Sequence, residues 1–434
     1  MAWKGSRINR RRVAIVGGLR TPFVKTATDY EGLGALDLAS ALVAELVETV
    51  SLEPDAVNLV VFGQVVPSTT APNIARELVL RAGLPTRTDA FSVARACATS
   101  TQSLVTATKS ILVGDADVAI AGGADSLSRP PITYSDPVID ALVRANAAKS
   151  PMEKARAFTS IKLKDLLPSP PALRELSTGL TMGESAEKMA KENGIARDDQ
   201  DAFALRSHQR ASAAWEAGVY DDEVMTFRRP DDYARTTTRD GMVRSETTLS
   251  KLSSLKPVFD RRHGTVTAGS SSPLTDGAAA LLLMEAGAAK RLGFEPLAFV
   301  RSWAFTAVDP EWQLLMGPSF ASPIALDRAG LGLDDVDLVD MHEAFAAQVL
   351  SNLQAFASKR FANERLGRDE PLGEVPDEKL NIHGGSISLG HPFAATGARQ
   401  ALTMARELER RDGGVALITQ CAAGGLGAAV VLER

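Results

Sequence analysis

Asp55-Ala-Val-Asn-Leu-Val60 returns later in the chain, its order of acidic and apolar residues kept, as Asp334-Asp-Val-Asp-Leu-Val339. The first copy runs into Leu59-Val-Val-Phe62, a short apolar run of the kind expected of a strand buried on both faces. Other runs recur in the same order. Val118-Ala-Ile-Ala121, closed by Gly122-Gly123, is matched by Val415-Ala-Leu-Ile418, and Phe299-Val-Arg-Ser-Trp303 can repeat the opening strand Val13-Ala-Ile-Val16. Helical spacing separates the strands, as in Leu38, Ala41, Leu42 and Leu46. These observations predict an α/β fold of two related halves with mostly parallel sheets covered by helices. Two unrelated stretches of similar composition are the competing reading; the kept order favours the repeat.

The pattern breaks between Leu127 and Thr247. This stretch holds Pro130-Pro131, Pro137, Pro151, Pro168 and Pro170-Pro171, then a helical segment from about Glu184 to Glu216 and an irregular charged stretch around Arg228 to Arg239. Strand character resumes at Gly264-Thr-Val-Thr-Ala-Gly269, and Asp276-Gly-Ala-Ala-Ala-Leu-Leu-Leu-Met284 reads as a buried strand. The expected organisation is a first half of residues 1–126 with 248–292, an inserted loop domain at 127–247, and a second half at 293–434. An insertion of this length is usually functional, and here it is expected to cap a site.

Composition removes several classes. The chain has 434 residues, 45% hydrophobic and 23% charged, with a net charge of −5, which argues against a general nucleic-acid binder. The basic tip Lys4, Arg7, Arg10, Arg11 and Arg12 reads as a solvated terminus. No run approaches the roughly 20 apolar residues of a membrane span, and no apolar run follows the N-terminal arginines, so a cytoplasmic location is expected. Cys97 and Cys421 are the two cysteines, too few and too far apart for a disulfide framework or a zinc site.

Four segments concentrate chemistry. Cys97 lies in Val93-Ala-Arg-Ala-Cys-Ala-Thr-Ser-Thr-Gln102, ahead of a helical pattern of Leu104, Ala107, Ile111 and Leu112. A helix N-terminus favours thiolate and is expected to lower its pKa, although a small packing residue would look the same. His391 sits in Gly384-Gly-Ser-Ile-Ser-Leu-Gly-His-Pro-Phe-Ala-Ala-Thr-Gly397, directly before a helical pattern. Gln420-Cys-Ala-Ala-Gly-Gly-Leu-Gly427 places Cys421 before a turn rich in free N–H groups, and His342-Glu-Ala-Phe345 ends the apolar run Leu338-Val-Asp-Met341. Such strand ends and helix starts are where open α/β sheets place ligands. His208, in a polar helical stretch, and His263, in a turn, read as surface residues; His383 is nearer the clusters and is a candidate for a supporting role.

Through these segments, with Arg20-Thr-Pro-Phe23 and Gly264–Gly269, the chain resembles the thiolases along nearly its whole length. The resemblance implies the five-layered αβαβα thiolase fold and ping-pong acyl transfer. Cys97 would carry the acyl group, His391 would take its proton, and Cys421 would protonate the departing acetyl-CoA carbanion. One oxyanion would meet His391 and a water held by His342; the other would meet the backbone N–H groups of Cys97 and Ala423. His342 stands where many members have Asn, which resembles the thiolase subunit of fatty-acid oxidation complexes, the trifunctional type included. Ala268 and Ser272 match coenzyme A contacts, Met182 and Phe345 would line the tunnel, and Arg244 would meet the nucleotide. No metal or redox cofactor is implied, since CoA and acyl-CoA are substrates.

The implied activity is cleavage of 3-ketoacyl-CoA of medium or long chain in β-oxidation, with Leu166-Leu167 and Leu173 of the excursion offered to acyl chains or to a partner. Biosynthetic condensation of two acetyl-CoA is the alternative. A decarboxylating ketoacyl synthase is disfavoured by Cys421, and a non-catalytic carrier or structural subunit by the presence of Cys97, His391 and Cys421 together. The family implies a homodimer or homotetramer, and oxidation-complex members dock on a hydratase/dehydrogenase subunit.

Overall fold

The structure, a computed structural model, describes residues 11–167 and 174–434. Lys4, Arg7, Arg10, Pro168, Pro170, Pro171 and Leu173 lie outside the described residues. The main strands in chain order are β1 (Val13–Arg20), β2 (Leu59–Gly63), β3 (Asp89–Val93), β4 (Val118–Asp125), β5 (Thr275–Glu285), β6 (Ala298–Ala307), β7 (Leu338–Met341), β8 (Val415–Ala422) and β9 (Leu426–Glu433). Their order across the sheet is β7-β8-β9-β6-β1-β5-β4-β2-β3.

The pairings repeat. β1–β5 and β5–β4 are antiparallel and β4–β2 is parallel; β6–β9 and β9–β8 are antiparallel and β8–β7 is parallel. The strands that recurred in sequence occupy equivalent places, and a short antiparallel contact of β1 with β6 joins the two halves. Expected parallel pairing holds toward the two edges, whereas the middle is antiparallel, so the sheet is mixed. For the β8–β9 pair the cause is connection length. β8 turns into β9 through Ala423-Gly424-Gly425, too short for a crossover, with φ of +80° and +72° at the two glycines.

Eight helices matter for the site: α1 (Ala35–Thr49), α2 (Ile74–Arg81), α3 (Thr99–Val113), α4 (Met182–Glu192), α5 (Arg197–Glu216), α6 (Gly317–Ala329), α7 (Ala346–Phe356) and α8 (Thr396–Arg410). Alternation along the strands sorts them into layers. Ala278, Ala280, Leu282 and Met284 of β5 pack with α1 and α2, while Ala279, Leu281 and Leu283 face α3 and α8. In the second half, Ala416 and Ile418 face the same central helices, while Leu417, Ala429 and Val431 meet α6 and α7. The layers therefore run α, β, α, β, α, with α3 and α8 sandwiched between the two halves of the sheet. A strand buried on both faces must be apolar at every position, which is why β5 reads as an unbroken run. Truncating Leu281 to Ala would cost about 2–5 kcal/mol.

The excursion and the segment after it differ from their sequence reading in three places. The helical segment is two helices, broken after Asn193 by Gly194 at φ +65°. The charged stretch forms a small hairpin, Phe227–Arg229 with Asp232–Thr237. Gly264–Gly269 is a loop, because Thr265 and Val266 donate their N–H groups to the carboxylate of Glu187 at 2.8 and 2.9 Å rather than to a neighbouring strand.

Candidate active site

Cys97 sits in a single tight turn, Ala96–Ala98, between β3 and α3. Ala96 has φ +43°, a left-handed conformation that costs a non-glycine residue about 1–3 kcal/mol. Thr99 holds it there, its hydroxyl accepting from the N–H of Arg95 at 2.8 Å and donating to the carbonyl of Ala96 at 2.8 Å. The turn leaves Cys97 with partial solvent contact. The backbone N–H groups of Ala423 and of Cys97 itself are directed at the thiol, the pair that sequence expected to form one oxyanion hole.

Contrary to the helix-dipole expectation, burial pushes the Cys97 thiol up to about 12, and those two N–H groups only partly offset it. Cys97 is surrounded by Ala96, Ala98, Ala422 and Ala428, none of which solvates charge. At rest Cys97 is therefore a thiol, and a base would be needed to ionise it.

Two imidazoles face it. His342 follows β7, its N–H bound to the carbonyl of Thr419 at 2.9 Å; His391 follows a short helix, Ser386–Leu389, with its N–H donated to Thr275 at 2.7 Å. His391 is not directly before a helix as its sequence suggested, since α8 begins five residues later. The rings lie 4.2 Å apart between centroids at 48°. Nδ1 of His342 meets the Ser386 hydroxyl at 2.9 Å, and Nδ1 of His391 meets Thr396 at 2.6 Å. Thr396 donates its own proton to the carbonyl of Pro392 at 3.2 Å, so it accepts from Nδ1–H of His391 and leaves the Nε2 lone pair free. Both Nε2 atoms are buried and unpartnered, and with the Cys97 sulfur one donor atom from each of the three residues lies within 4.8 Å of the others. Burial, with Arg399 nearby, takes His391 down to about 3, and burial with His391 takes His342 well below the usual imidazole range, so both rings are neutral.

A buried polar chain fixes this floor. Thr101 of α3 donates to Gln420 at 2.5 Å, Gln420 to Gln400 at 2.6 Å, and Gln400 to Asp340 at 2.7 Å; Asp340 also pairs with Arg399 at 2.7 Å. It links the starts of α3 and α8 to the neighbours of Cys421 and His342. Glu343 anchors the glycine-rich loop, accepting from Ser207 at 2.7 Å, Asn381 at 2.8 Å and the N–H of Ile387 at 3.1 Å. A Cβ at Gly385 would stand 2.3 Å from the Glu343 carboxyl carbon, which requires glycine there.

Cys421 is buried near the end of β8, and its thiol is pushed well above the usual range by burial and then by Cys97. It packs in one cluster with Phe345 and Met182. From outside, a cleft of about 430 Å³ leads to Ile387, next to the Ser386 that holds His342. Arg244, Lys251 and Ala268 line it; Ser272 is tied to the carbonyl of Ala344 at 2.9 Å, between the lining residues Ser271 and Pro273. The sequence candidates therefore divide between the cleft (Arg244, Ala268, with Ser272 at its wall) and the apolar cluster around Cys421 (Met182, Phe345).

His208 corrects its surface reading. It is buried in the cleft wall, accepting the N–H of Arg244 at Nδ1 over 3.3 Å, because α5 lies beneath the loop that carries Arg244. Burial and Arg244 take it down to about 4. A polar helix pattern hid this contact, and Lys251 gave no signal at all. His263 is exposed in its turn, and His383 faces Glu407 at 2.9 Å, apart from the central cluster. Leu166 and Leu167 are exposed and outside the cleft lining.

This layered fold with two cysteines and two histidines at its centre agrees with the family comparison: the thiolase N-terminal domain matches residues 13–287 and the thiolase C-terminal domain residues 294–434, so the chain belongs to the thiolase family. Within it, the chain is 53% identical to the 3-ketoacyl-CoA thiolase of Serratia proteamaculans and 54% identical to that of Yersinia pestis, each over 97% of both chains. Human mitochondrial 3-ketoacyl-CoA thiolase, solved with CoA, superposes with a TM-score of 0.82 at 31% identity, over 98% of both chains. The Bacillus anthracis acetyl-CoA acetyltransferase gives 0.81 at 29%.

Proposed function

We propose that this chain is a 3-ketoacyl-CoA thiolase that works through an acyl-Cys97 intermediate. The reading rests on one observation above all: a ring nitrogen of His391 lies within 4.8 Å of the Cys97 sulfur, at which the N–H of Ala423 is also directed, and the Nε2 of that ring is buried and unpartnered. Since the thiol is not ionised at rest, proton transfer to Nε2 accompanies attack of sulfur on the C3 carbonyl. The C2–C3 bond then breaks, the acyl group stays on Cys97, and Cys421 gives its proton to C2 of the departing acetyl-CoA. The thiol of a second CoA loses its proton to the site and attacks the thioester, and the shortened acyl-CoA leaves as Cys97 regains a proton.

His391 and a water on His342 would stabilise one oxyanion, and the N–H groups of Cys97 and Ala423 the other. Each such donor is worth about 2.7–4 kcal/mol. Arg244 and Lys251 supply positive charge for a nucleotide in the cleft, with Met182 and Phe345 beside the reacting end. Residues 127–247 act as the cap, contributing His208 and the 242–247 loop to the cleft wall. No metal or redox cofactor enters these steps. A homodimer or homotetramer, docking on a hydratase/dehydrogenase subunit, and a cytoplasmic location complete the reading; no helix among the described residues is long and apolar enough to cross a membrane.

The test is mass spectrometry of protein mixed with 3-ketoacyl-CoA of graded chain length, in both directions. An acyl adduct on Cys97 is expected, absent in Cys97→Ala. An unchanged adduct in that variant would refute the nucleophile, and turnover of acetoacetyl-CoA without longer chains would refute the medium- and long-chain assignment.

A further inference from the structure

We propose that Cys97, His342 and His391 form a binding site for a soft divalent cation, zinc foremost, and that the bound ion blocks acylation. The inference uses the same residues as the reaction but not the reaction itself. One donor atom from each of the three side chains lies within 4.8 Å of the other two. Thiolate with two imidazoles is a donor set suited to zinc.

Two independent features prepare the site. Both Nε2 atoms are buried without a partner, on histidines that are 0% and 3% exposed. The Nδ1 proton of His391 is committed to Thr396, so its Nε2 carries a lone pair, and His342 offers one in the tautomer in which Nδ1–H donates to Ser386. On the far side of each ring a hydroxyl fixes the orientation, Ser386 at 2.9 Å for His342 and Thr396 at 2.6 Å for His391. A hydrogen bond on the distal nitrogen is the usual support of a metal-ligating histidine.

Zinc distances of about 2.3 Å to sulfur and 2.0–2.1 Å to nitrogen set donors roughly 3.4–3.6 Å apart in a tetrahedron. A pair at the 4.8 Å limit must therefore close by roughly 1.2–1.4 Å, the sulfur by rotation of the short Cys97 side chain and the two ring nitrogens by rotation of the imidazoles, and Cys97 keeps solvent contact and so an entry route. Three protein ligands leave a fourth position for water. On binding, the Cys97 S–H bond breaks, its proton passes to solvent, and the sulfur electron pair goes to the metal; nothing is oxidised or reduced. The lone pair that would take the Cys97 proton and the sulfur that would attack are then both occupied.

The experiment titrates metal-free full-length protein with Co²⁺ as the spectroscopic probe and Zn²⁺ as its competitor. One equivalent of Co²⁺ should give thiolate-to-cobalt absorption, displaced by Zn²⁺, and one equivalent of Zn²⁺ should protect Cys97 from iodoacetamide until a chelator is added. Ser386→Ala should weaken binding about 10–100-fold. No cobalt–thiolate absorption at one equivalent, or absorption that survives in Cys97→Ala, would overturn the proposal. Should Cys97→Ala fail to fold, the alkylation assay on unaltered protein decides: a rate indifferent to Zn²⁺ refutes the site. Acyl-adduct formation by metal-free protein separates the two readings, because it depends on the thiolase assignment and not on metal binding.

Discussion

The carboxylate of Asp125, at the end of β4, accepts the backbone N–H of Ala394 at 2.6 Å, so a strand of the first half holds the loop that carries His391 in the second. Its other oxygen accepts from Val65 and Val66 at 2.9 and 2.8 Å. Burial raises this carboxyl to about 7 although three N–H groups favour its charge. Replacing Asp125 by Asn puts an N–H₂ against one of these donors. We expect kcat to fall, by up to about 100-fold for an ångström of misplacement, with KM for CoA little changed. Steady-state kinetics would show it, and a loss confined to KM would contradict the positioning role.

The same group has a thermodynamic signature. Its folded-state pKa is raised, so the stability it contributes is full below about 3.8 and is lost as pH rises through about 7. Urea midpoints of Asp125→Asn should lack that decline between the two values. A variant that tracks the parent protein across the window would contradict the raised carboxyl.

Alkylation of Cys97 should report its protonation. With the thiol pushed up to about 12, the rate with iodoacetamide should climb about tenfold per pH unit from neutrality upward without levelling. A plateau near neutral pH would mean a standing thiolate and would restore the helix-dipole expectation.

Arg20 is fully buried, forked onto Asp240 at 2.7 and 2.9 Å and bonded to Glu223 at 3.3 Å. Replacing it by Ala strands two buried carboxylates and should cost about 3–5 kcal/mol in chemical denaturation. A loss below about 1 kcal/mol would show that the carboxylates take up protons and re-pair at no cost.

Glu407 should set part of the acid limit. Burial works against its charge, but bonds from His383, Arg411 and Arg410 bring the carboxyl down to about 2. A depressed pKa contributes stability that is present above about 4.5 and lost as pH falls through about 2. Glu407→Gln should be less stable than the parent at neutral pH and should approach it in acid; a constant difference would refute this.

Much of this was legible in the chain because strands buried on two faces have no polar positions to blur them. The runs in β2, β4, β7 and β8 kept their order through both halves, and Cys97, His342, His391 and Cys421 stood in glycine-rich or strand-end segments. The loop Gly264–Gly269 was illegible as a loop because its hydrogen-bond acceptor, Glu187, lies far away in sequence. His208 was illegible for a like reason: the Arg244 backbone that covers it arrives from another element.

By itself the sequence determined the α/β plan of two related halves and the four candidate side chains, since periodicity and local glycine, cysteine and histidine placement are properties of neighbours along the chain. Tertiary structure alone decided their state. Whether Cys97 is ionised, which nitrogen of His391 holds the proton, and which candidates share the cleft all depend on desolvation and on partners such as Ala423, Thr396 and Arg399. A helix start is a local feature that favours thiolate, but burial sums over every element packed around the sulfur, and here the sum is larger.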